Sequence, residues 1–159
     1  MDTMIYSDWA KHASENAVSI AEEARILLNA NKKERAYYLS HLATEEAAKS
    51  ILLKAMDLLS TPLSELSKVN KLLRNHQKKI DFLIQFSQAE SPELSEEISG
   101  VGKELITHIN NLKNNSMYVT HINGSICRPK DTIATLDVEK FVSYGEALAR
   151  YSSVLLKSK

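Results

Sequence analysis

The most constraining feature of this 159-residue sequence is a group of three charged residues in the middle of its longest predicted helix. At about 100° per residue, Glu45, Glu46 and Lys49 fall within the same arc of about 120° as the best core-forming residues of that helix. These core-forming residues are Tyr38, Leu42, Leu52, Leu53 and Met56. A charge on a buried face is costly unless it is paired and hydrogen-bonded. We therefore expect partners for this group elsewhere in the chain.

The composition favours a helical globular domain. Only four Gly and three Pro argue against a loop-rich or many-stranded β fold, and 43% hydrophobic with 25% charged residues is ordinary for a globular protein. The chain is long enough to bury a normal core without a metal or a disulfide. We expect a single helical domain that covers residues 1–159.

Charge and cysteine content limit the partners and the location. With 20 basic and 20 acidic residues the formal net charge is zero, so any nucleic-acid site must be local rather than the result of a global field. The single Cys127 cannot form an internal disulfide, which suits a reducing cytosol. No apolar run approaches about 18 residues, and no signal-peptide core is present near the start. We expect a cytoplasmic protein with no membrane partner.

Apolar periodicity and turn signals predict an all-α fold, an antiparallel bundle of five helices with a short extended or hairpin excursion before the last helix. The predicted helices cover about residues 7–31, 33–59, 63 or 68 to 87, 91–116 and 136–157. Ser7 or Asp8 is the predicted cap of the first helix, and Thr61 that of the third. Asn123-Gly124, within the excursion 117–135, predicts a tight hairpin turn.

His76 is the ionisable residue that lies near the middle of the apolar stripe of the predicted third helix. If the second and third helices pack antiparallel, their midpoints meet. Five residues then converge in one partly buried network: Glu45, Glu46, Lys49, His76 and Lys79. A carboxylate that holds one nitrogen of a histidine ring sets its tautomer, as in a general acid or base. The alternative is a structural network that sets helix register. Asn16 either lies at the rim or hydrogen-bonds a buried carboxylate of the second helix.

Three other patterns bear on function. A basic face on the third helix consists of Lys68, Lys71, Arg74, Lys78 and Lys79. Such a face predicts either a solvated surface or phosphate contact.

Arg35 and His41 have the Arg-to-His spacing of metal-independent ribonucleases built on helical bundles. In those enzymes Arg stabilises a phosphorane-like charge and His moves the 2′-hydroxyl proton. Because Lys49 would repel a cation and no Glu-x-x-His repeat is present, we expect no metal and no cofactor.

Taken in order, several motifs resemble the AbiV-type abortive-infection family over about residues 13–150. The first two helices carry Asn16-Ala17, Ala24-x-x-Leu27-Leu28, Ala36-x-x-Leu39-x-x-x-Ala43 and Glu45-Glu46-x-x-Lys49. Later motifs are His76-x-x-Lys79 and Lys113-x-x-x-x-Tyr118-Val119, followed by a turn and Pro129. Ala48 replaces the glycine that is usual in the Glu-Glu motif of the family.

The resemblance implies an HEPN-like helical bundle, a homodimer and a role in antiphage defence, with RNA or the translation apparatus as target. Many HEPN proteins are metal-independent ribonucleases. The candidate roles are proton transfer by His76, its orientation by Glu45 or Glu46, and support of the phosphate by Lys49 or Lys79. Secondary candidates are Arg35, His41 and Tyr118, and the candidate RNA-binding residues are Lys68, Lys71, Arg74 and Lys78. The alternative function is a non-catalytic helical module that engages a phage or host protein.

Overall fold

The computed structural model of the chain describes residues 4–76, 78, 79, 82 and 110–157. The elements in order are α1 (Met4–Asn29), α2 (Lys33–Leu58), a 3₁₀ turn (Leu63–Glu65), α3 (Leu66–Arg74), β1 (Thr120–Ile122), β2 (Ser125–Cys127), α4 (Pro129–Thr132) and α5 (Val138–Leu155). Residues 110–115 are also helical. The predicted all-α fold with a hairpin before the last helix is confirmed. Within these residues no helix is long and apolar enough to cross a membrane.

A left-handed residue ends each of the two long helices. Asn31 has φ 58° after α1, and the Lys32 N–H donates to Leu27 O at 2.8 Å. Ser60 has φ 51° after α2, with Thr61 N–H donating to Met56 O at 3.0 Å. This Schellman geometry satisfies the last carbonyls of a helix and turns the chain sharply. At the end of α1 this geometry therefore produces the short connection that lets α1 and α2 pack antiparallel.

Two predicted helix caps are wrong. α1 begins at Met4, before both predicted cap residues, Ser7 and Asp8. The 3₁₀ turn that follows α2 has no side-chain cap, and the Thr61 hydroxyl contacts Met56 Sδ at 3.5 Å instead. A Ser, Thr or Asp near a helix start is only a local preference, and the packing of the first turn decides where the helix begins.

The core lies between α1, α2 and α5 and is built mainly from small residues. Its central cluster contains Ala17, Ala21, Ala43, Ala47, Ala48, Ile51, Leu148 and Ala149. Alanine both favours helix and lets neighbouring backbones approach closely. Buried serines connect the same helices: Ser50 Oγ donates to Ala10 O at 2.8 Å, and Ser14 Oγ lies 3.1 Å from Ser152 Oγ.

A second cluster joins α3 to one end of this core. It contains Tyr6, Ala10, Leu52, Leu53, Val69 and Leu73. At the other end, Tyr37 packs edge-to-face on Phe141, with ring centroids 5.0 Å apart, and burial raises the pKa of Tyr37 to about 12. The middle of α2 therefore lies between these two end clusters of the core, and α3 packs at one of them.

Arg25 ties α1 to α5 through a fork of hydrogen bonds. Its guanidinium donates to both carboxylate oxygens of Glu146, at 2.9 and 2.7 Å, and also bonds Glu139. The hydrogen bond from Arg25 holds the pKa of Glu146 below its usual value. A bidentate pair of this kind sets direction as well as distance, so it supports the antiparallel alignment of α1 and α5.

α5 approaches α2 closely at Gly145. An added Cβ would stand 2.7 Å from Ser40 Oγ and 3.1 Å from Ser40 O. The serine hydroxyl cannot easily retreat, because it donates to Phe141 O at 2.6 Å. The helices are therefore in contact here without room for a side chain.

We expect Gly145→Leu to lower the free energy of unfolding by about 3 kcal/mol, because the new side chain overpacks the α2–α5 contact. The matched control is Ala147→Leu, on the exposed side of α5, which should change it by less than about 0.5 kcal/mol. Urea unfolding followed by circular dichroism measures both values. Equal midpoints for the two variants would contradict the close contact.

The predicted hairpin is present. β1 and β2 pair antiparallel with Ile122 opposite Ser125, and the two loop residues have positive φ, 50° at Asn123 and 83° at Gly124. This is the type I′ geometry that Asn-Gly favours. The large apolar side chains of the hairpin and of its approach are exposed, namely Tyr118, Val119, Ile122 and Ile126.

The predicted third helix is wrong in one respect that matters for the site. α3 ends at Arg74, Asn75 is extended with ψ 105°, and the chain becomes helical again at residue 76. The apolar stripe does not therefore run through His76, which lies at the start of the new helical segment. The remainder of the predicted third helix and residues 91–109 of the predicted fourth lie almost entirely outside the described residues.

Candidate active site

The side chain of Glu45 is only 2% exposed and lies among four nitrogen-bearing side chains. Oε2 is hydrogen-bonded to His76 Nδ1 and accepts from Lys79 Nζ at 3.1 Å. Oε1 accepts from Lys113 Nζ at 3.0 Å, and His41 Nδ1 approaches it to 3.1 Å. We call these five residues the Glu45 cluster. A carboxylate and four basic side chains thus meet at one buried point.

Local structure explains how two of these residues reach Glu45 together. Asn75 caps the helical segment that follows α3: its Oδ1 accepts from the Lys78 N–H at 3.0 Å, and its carbonyl accepts from the Lys79 N–H at 3.2 Å. Residues three apart lie on one face of a helix. His76 and Lys79 therefore both point to the same side, towards α2.

Lys113 comes from a distant part of the chain, the helical residues 110–115. The Ser116 hydroxyl donates to the Lys113 carbonyl at 2.6 Å, and both residues are buried. The sequence prediction missed Lys113 as a site residue. Its available signal was its place at the head of the Lys113-x-x-x-x-Tyr118 motif, which the family resemblance includes.

The surroundings of Glu45 keep its carboxylate ionised. Burial by itself raises the pKa of this group, but contact with His41, the charges of Lys79 and Lys113 and the bond to His76 outweigh it. The net result is a pKa well below the usual value for glutamate. Glu45 is therefore a fixed negative charge and a hydrogen-bond acceptor near neutral pH.

The stability of the protein should depend on this ionisation at acid pH. Because the pKa of Glu45 is lower folded than unfolded, the stabilisation is present above about pH 4.3, the unfolded value, and is lost as the pH falls below it. We expect the unfolding free energy of the wild type to fall more steeply than that of Glu45→Gln, by up to about 1.4 kcal/mol per pH unit. Urea unfolding at pH values between about 6 and 3 measures this, and parallel curves would contradict it.

His76 forms the open side of the Glu45 cluster. Its side chain is 51% exposed, whereas those of Lys79 and Lys113 are 5% exposed. Nδ1 is engaged by Glu45, and no described residue bonds Nε2. A half-exposed ring that is held at one nitrogen has the geometry of a general acid or base.

His41 is the buried histidine of the cluster. It lies one helical turn before Glu45 on the same face of α2, and its side chain is 6% exposed. Although Nδ1 is close to Glu45, neither ring nitrogen has an aligned hydrogen bond to a described residue. The ring is thus confined within the site with unused hydrogen-bonding capacity.

Glu46 and Lys49 do not join the Glu45 cluster, which corrects the predicted single network. Glu46 Oε1 accepts from Lys49 Nζ, and Oε2 accepts from Asn16 Nδ2 on α1 at 3.1 Å. The predicted contact of Asn16 with a carboxylate of the second helix is therefore present, but at Glu46. Along a helix, consecutive residues are about 100° apart, so Glu45 and Glu46 face different neighbours.

The secondary candidates separate in the same way. His41 is in the cluster, while Arg35 is exposed near the start of α2 and forms no hydrogen bond or ion pair with a described residue of the cluster. Tyr118 is exposed just before β1. The structure thus brings only the histidine of the Arg35–His41 pair to Glu45.

The predicted basic face is smaller than expected. Lys79 is buried against Glu45, and Lys68 pairs with Glu65 at 2.8 Å. Lys71 and Arg74 line an open groove of about 530 Å³ on α3, together with Leu66, Ser67 and Asn70. Lys78 is exposed beyond the end of α3. Lys71 and Arg74 therefore still form a basic groove on α3, which ends two residues before His76.

Among the described residues, no group of three or more His, Cys, Asp or Glu side chains has an arrangement that could hold a metal ion. Glu45 is instead surrounded by two ammonium groups, which repel a cation. The donor set of the Glu45 cluster is therefore suited to anions.

Comparison with known proteins identifies the family. The family model HEPN_AbiV, described as AbiV, matches residues 5–150. The chain belongs to the AbiV family. The resemblance that the motifs indicated is thereby confirmed, and AbiV membership indicates an abortive-infection, antiphage role. No significant match was found among curated proteins or solved structures.

Proposed function

We propose that this AbiV protein is a metal-independent endoribonuclease that acts in the cytoplasm as a homodimer. The observation that carries the proposal is the pair formed by His76 and Glu45: a half-exposed imidazole held at Nδ1 by a buried, ionised carboxylate. This is the arrangement of a proton-transfer group and its orienting residue. The homodimer is supported by the family, since HEPN domains often dimerise.

The chemistry needs no metal or cofactor. His76 Nε2 takes the proton of a 2′-hydroxyl, whose oxygen then attacks the adjacent phosphorus. The bond from phosphorus to the 5′-oxygen breaks, and that oxygen takes a proton from water as it leaves, while His76 returns its proton to the solvent. The products are a 2′,3′-cyclic phosphate and a 5′-hydroxyl. Positive side chains stabilise the developing negative charge on the phosphoryl oxygens.

The groove on α3 offers a path for the RNA backbone. Lys71 and Arg74 line it, and Arg74 is two residues from His76. Phosphate contacts of this kind bind any sequence and release counterions, so affinity falls as salt is added. RNA binding that weakens steeply with salt supports this path.

A second candidate function is a non-catalytic module that binds a phage or host protein. It is favoured by the exposed apolar side chains of the hairpin and its approach, among them Tyr118, Val119 and Ile126. Exposed apolar side chains grouped on one element are typical of protein contacts. Binding by such a surface depends little on salt, which separates it from the RNA hypothesis.

The decisive experiment incubates purified protein with cellular RNA in EDTA. We expect wild type to cleave the RNA, and His76→Ala and Glu45→Gln to be inactive. His12→Ala is the matched control, because His12 also contacts a glutamate, Glu15, at 3.3 Å but is exposed on α1. Absence of cleavage by wild type, together with phage resistance of cells that express it, would contradict the ribonuclease and favour the binding module.

A further inference from the structure

The charges of the Glu45 cluster do not balance. Lys79 and Lys113, both 5% exposed, share the single carboxylate of Glu45. Among the described residues neither lysine has a second acidic partner within ion-pair distance. Counted over Lys79, Lys113 and Glu45, one positive charge therefore remains uncompensated among the described residues. Buried charges of this kind are unfavourable unless a counter-charge is present.

The cluster also has more hydrogen-bond donors than acceptors. An ammonium group carries three N–H donors, and each of the two lysines directs one of them to Glu45. No other acceptor for Lys79 or Lys113 is found among the described residues. His41 lies beside them, more than nine-tenths buried, with neither ring nitrogen bonded to a described residue. These groups together can surround an oxyanion that enters past the exposed His76.

We propose that the Glu45 cluster binds a single phosphodiester group, with Lys79 and Lys113 as its ligands. The inference rests on the proposed action on RNA and names the residues that hold the phosphate. A phosphodiester carries one negative charge, which equals the charge left uncompensated in the cluster. Its two non-bridging oxygens accept hydrogen bonds from the ammonium groups, and hydrogen bonds between ionised partners are the strong ones.

Lys49 is excluded from this role by its own pairing. It donates to Glu46, whose other oxygen is bonded to Asn16, so charge in that group is balanced by one lysine and one carboxylate. Lys71 and Arg74 on α3 are exposed and suited to contacts that salt screens. The buried lysines differ because a phosphate bound to them is removed from water. Salt screens such a buried interaction less than an exposed one.

The test uses a 2′-deoxy dinucleoside monophosphate, which has one internal phosphodiester and no 2′-hydroxyl to react. Calorimetric titration of the full-length protein at constant ionic strength should show saturable binding to one site per chain. We expect Lys113→Met to weaken it by about tenfold or more, the loss of one charged hydrogen bond. Lys49→Met is the matched control and should keep the wild-type affinity.

A measurement on the wild type guards against variants that fail to fold. The side-chain ammonium resonances of Lys79 and Lys113, observed by nitrogen-15 NMR, should shift on addition of the dinucleotide, while that of Lys49 should not. Unchanged resonances for both buried lysines would overturn the proposal. So would a nucleoside 3′-monophosphate that binds where the diester does not, because the site would then accept a terminal phosphate only.

Failure of this inference is distinguishable from failure of the proposed function, since the deoxy ligand reports binding without cleavage. If the protein binds the deoxy ligand through its lysines but does not cleave RNA, the phosphodiester site is supported and the ribonuclease hypothesis is rejected. If the protein cleaves RNA but wild type and Lys113→Met bind the deoxy ligand with equal affinity, the phosphodiester site is rejected and the ribonuclease hypothesis stands.

Discussion

Replacing Glu45 by glutamine is expected to lower the free energy of unfolding by about 3–5 kcal/mol, the usual cost of removing one partner from a buried ionic network. The variant keeps the shape of the side chain but leaves Lys79 and Lys113, both 5% exposed, without their shared carboxylate. The midpoint of urea unfolding at neutral pH, followed by circular dichroism, measures the loss.

Glu46→Gln is the matched control for this prediction. The Glu46 side chain is one residue away and pairs with Lys49, but both are about one-fifth exposed, so its loss should cost at most about 1 kcal/mol. A triple variant, Glu45→Leu with Lys79→Met and Lys113→Met, should recover most of the stability because it removes all three charges together. A wild-type midpoint for Glu45→Gln would show that the lysines do not depend on this carboxylate.

Replacing His76 by alanine is expected to reduce the rate of RNA cleavage by about 10²–10⁴-fold, the range over which a positioned general acid or base acts. The fold should be retained, since the side chain is half exposed and lies at the start of a helical segment. The measurement is the rate of cleavage of a fluorescent oligoribonucleotide in EDTA, together with the unfolding midpoint of the same preparation.

Free imidazole provides a second readout that a purely structural role would not affect. Because the cluster is open at His76, added imidazole should enter and restore part of the activity of His76→Ala. It should not restore Glu45→Gln, which still contains the His76 ring. His12→Ala should cleave at the wild-type rate. Equal rates for His76→Ala and wild type would contradict proton transfer by this residue.

Local pattern was sufficient to predict α2 and part of its site. The helix was expected over residues 33–59 and runs from Lys33 to Leu58, because its apolar spacing and its alanines act within a few turns. The expected contacts of Glu45 with His76 and Lys79 are also present. They were predictable because a charge on a buried face requires partners, and these were the candidates in the neighbouring helical segment.

The separation of Glu45 from Glu46 could not be predicted in this way. A helical projection places both residues in one broad arc, but it does not say which neighbouring element each part of the arc meets. α1 approaches Glu46 through Asn16, while the segment that follows α3 approaches Glu45. The one continuous third helix was a further error, since apolar periodicity persists across Asn75 although the backbone there is extended.

The sequence by itself determined the helical character of the chain, the Asn-Gly hairpin, the family and the need to neutralise charges in the middle of α2. These follow from interactions between residues close in sequence, or from motifs that can be read in order. Only the tertiary structure decided that Lys113, 68 residues away, contacts Glu45 and that Lys49 does not. Such choices depend on how whole helices pack, and a buried carboxylate accepts whichever donors that packing brings to it.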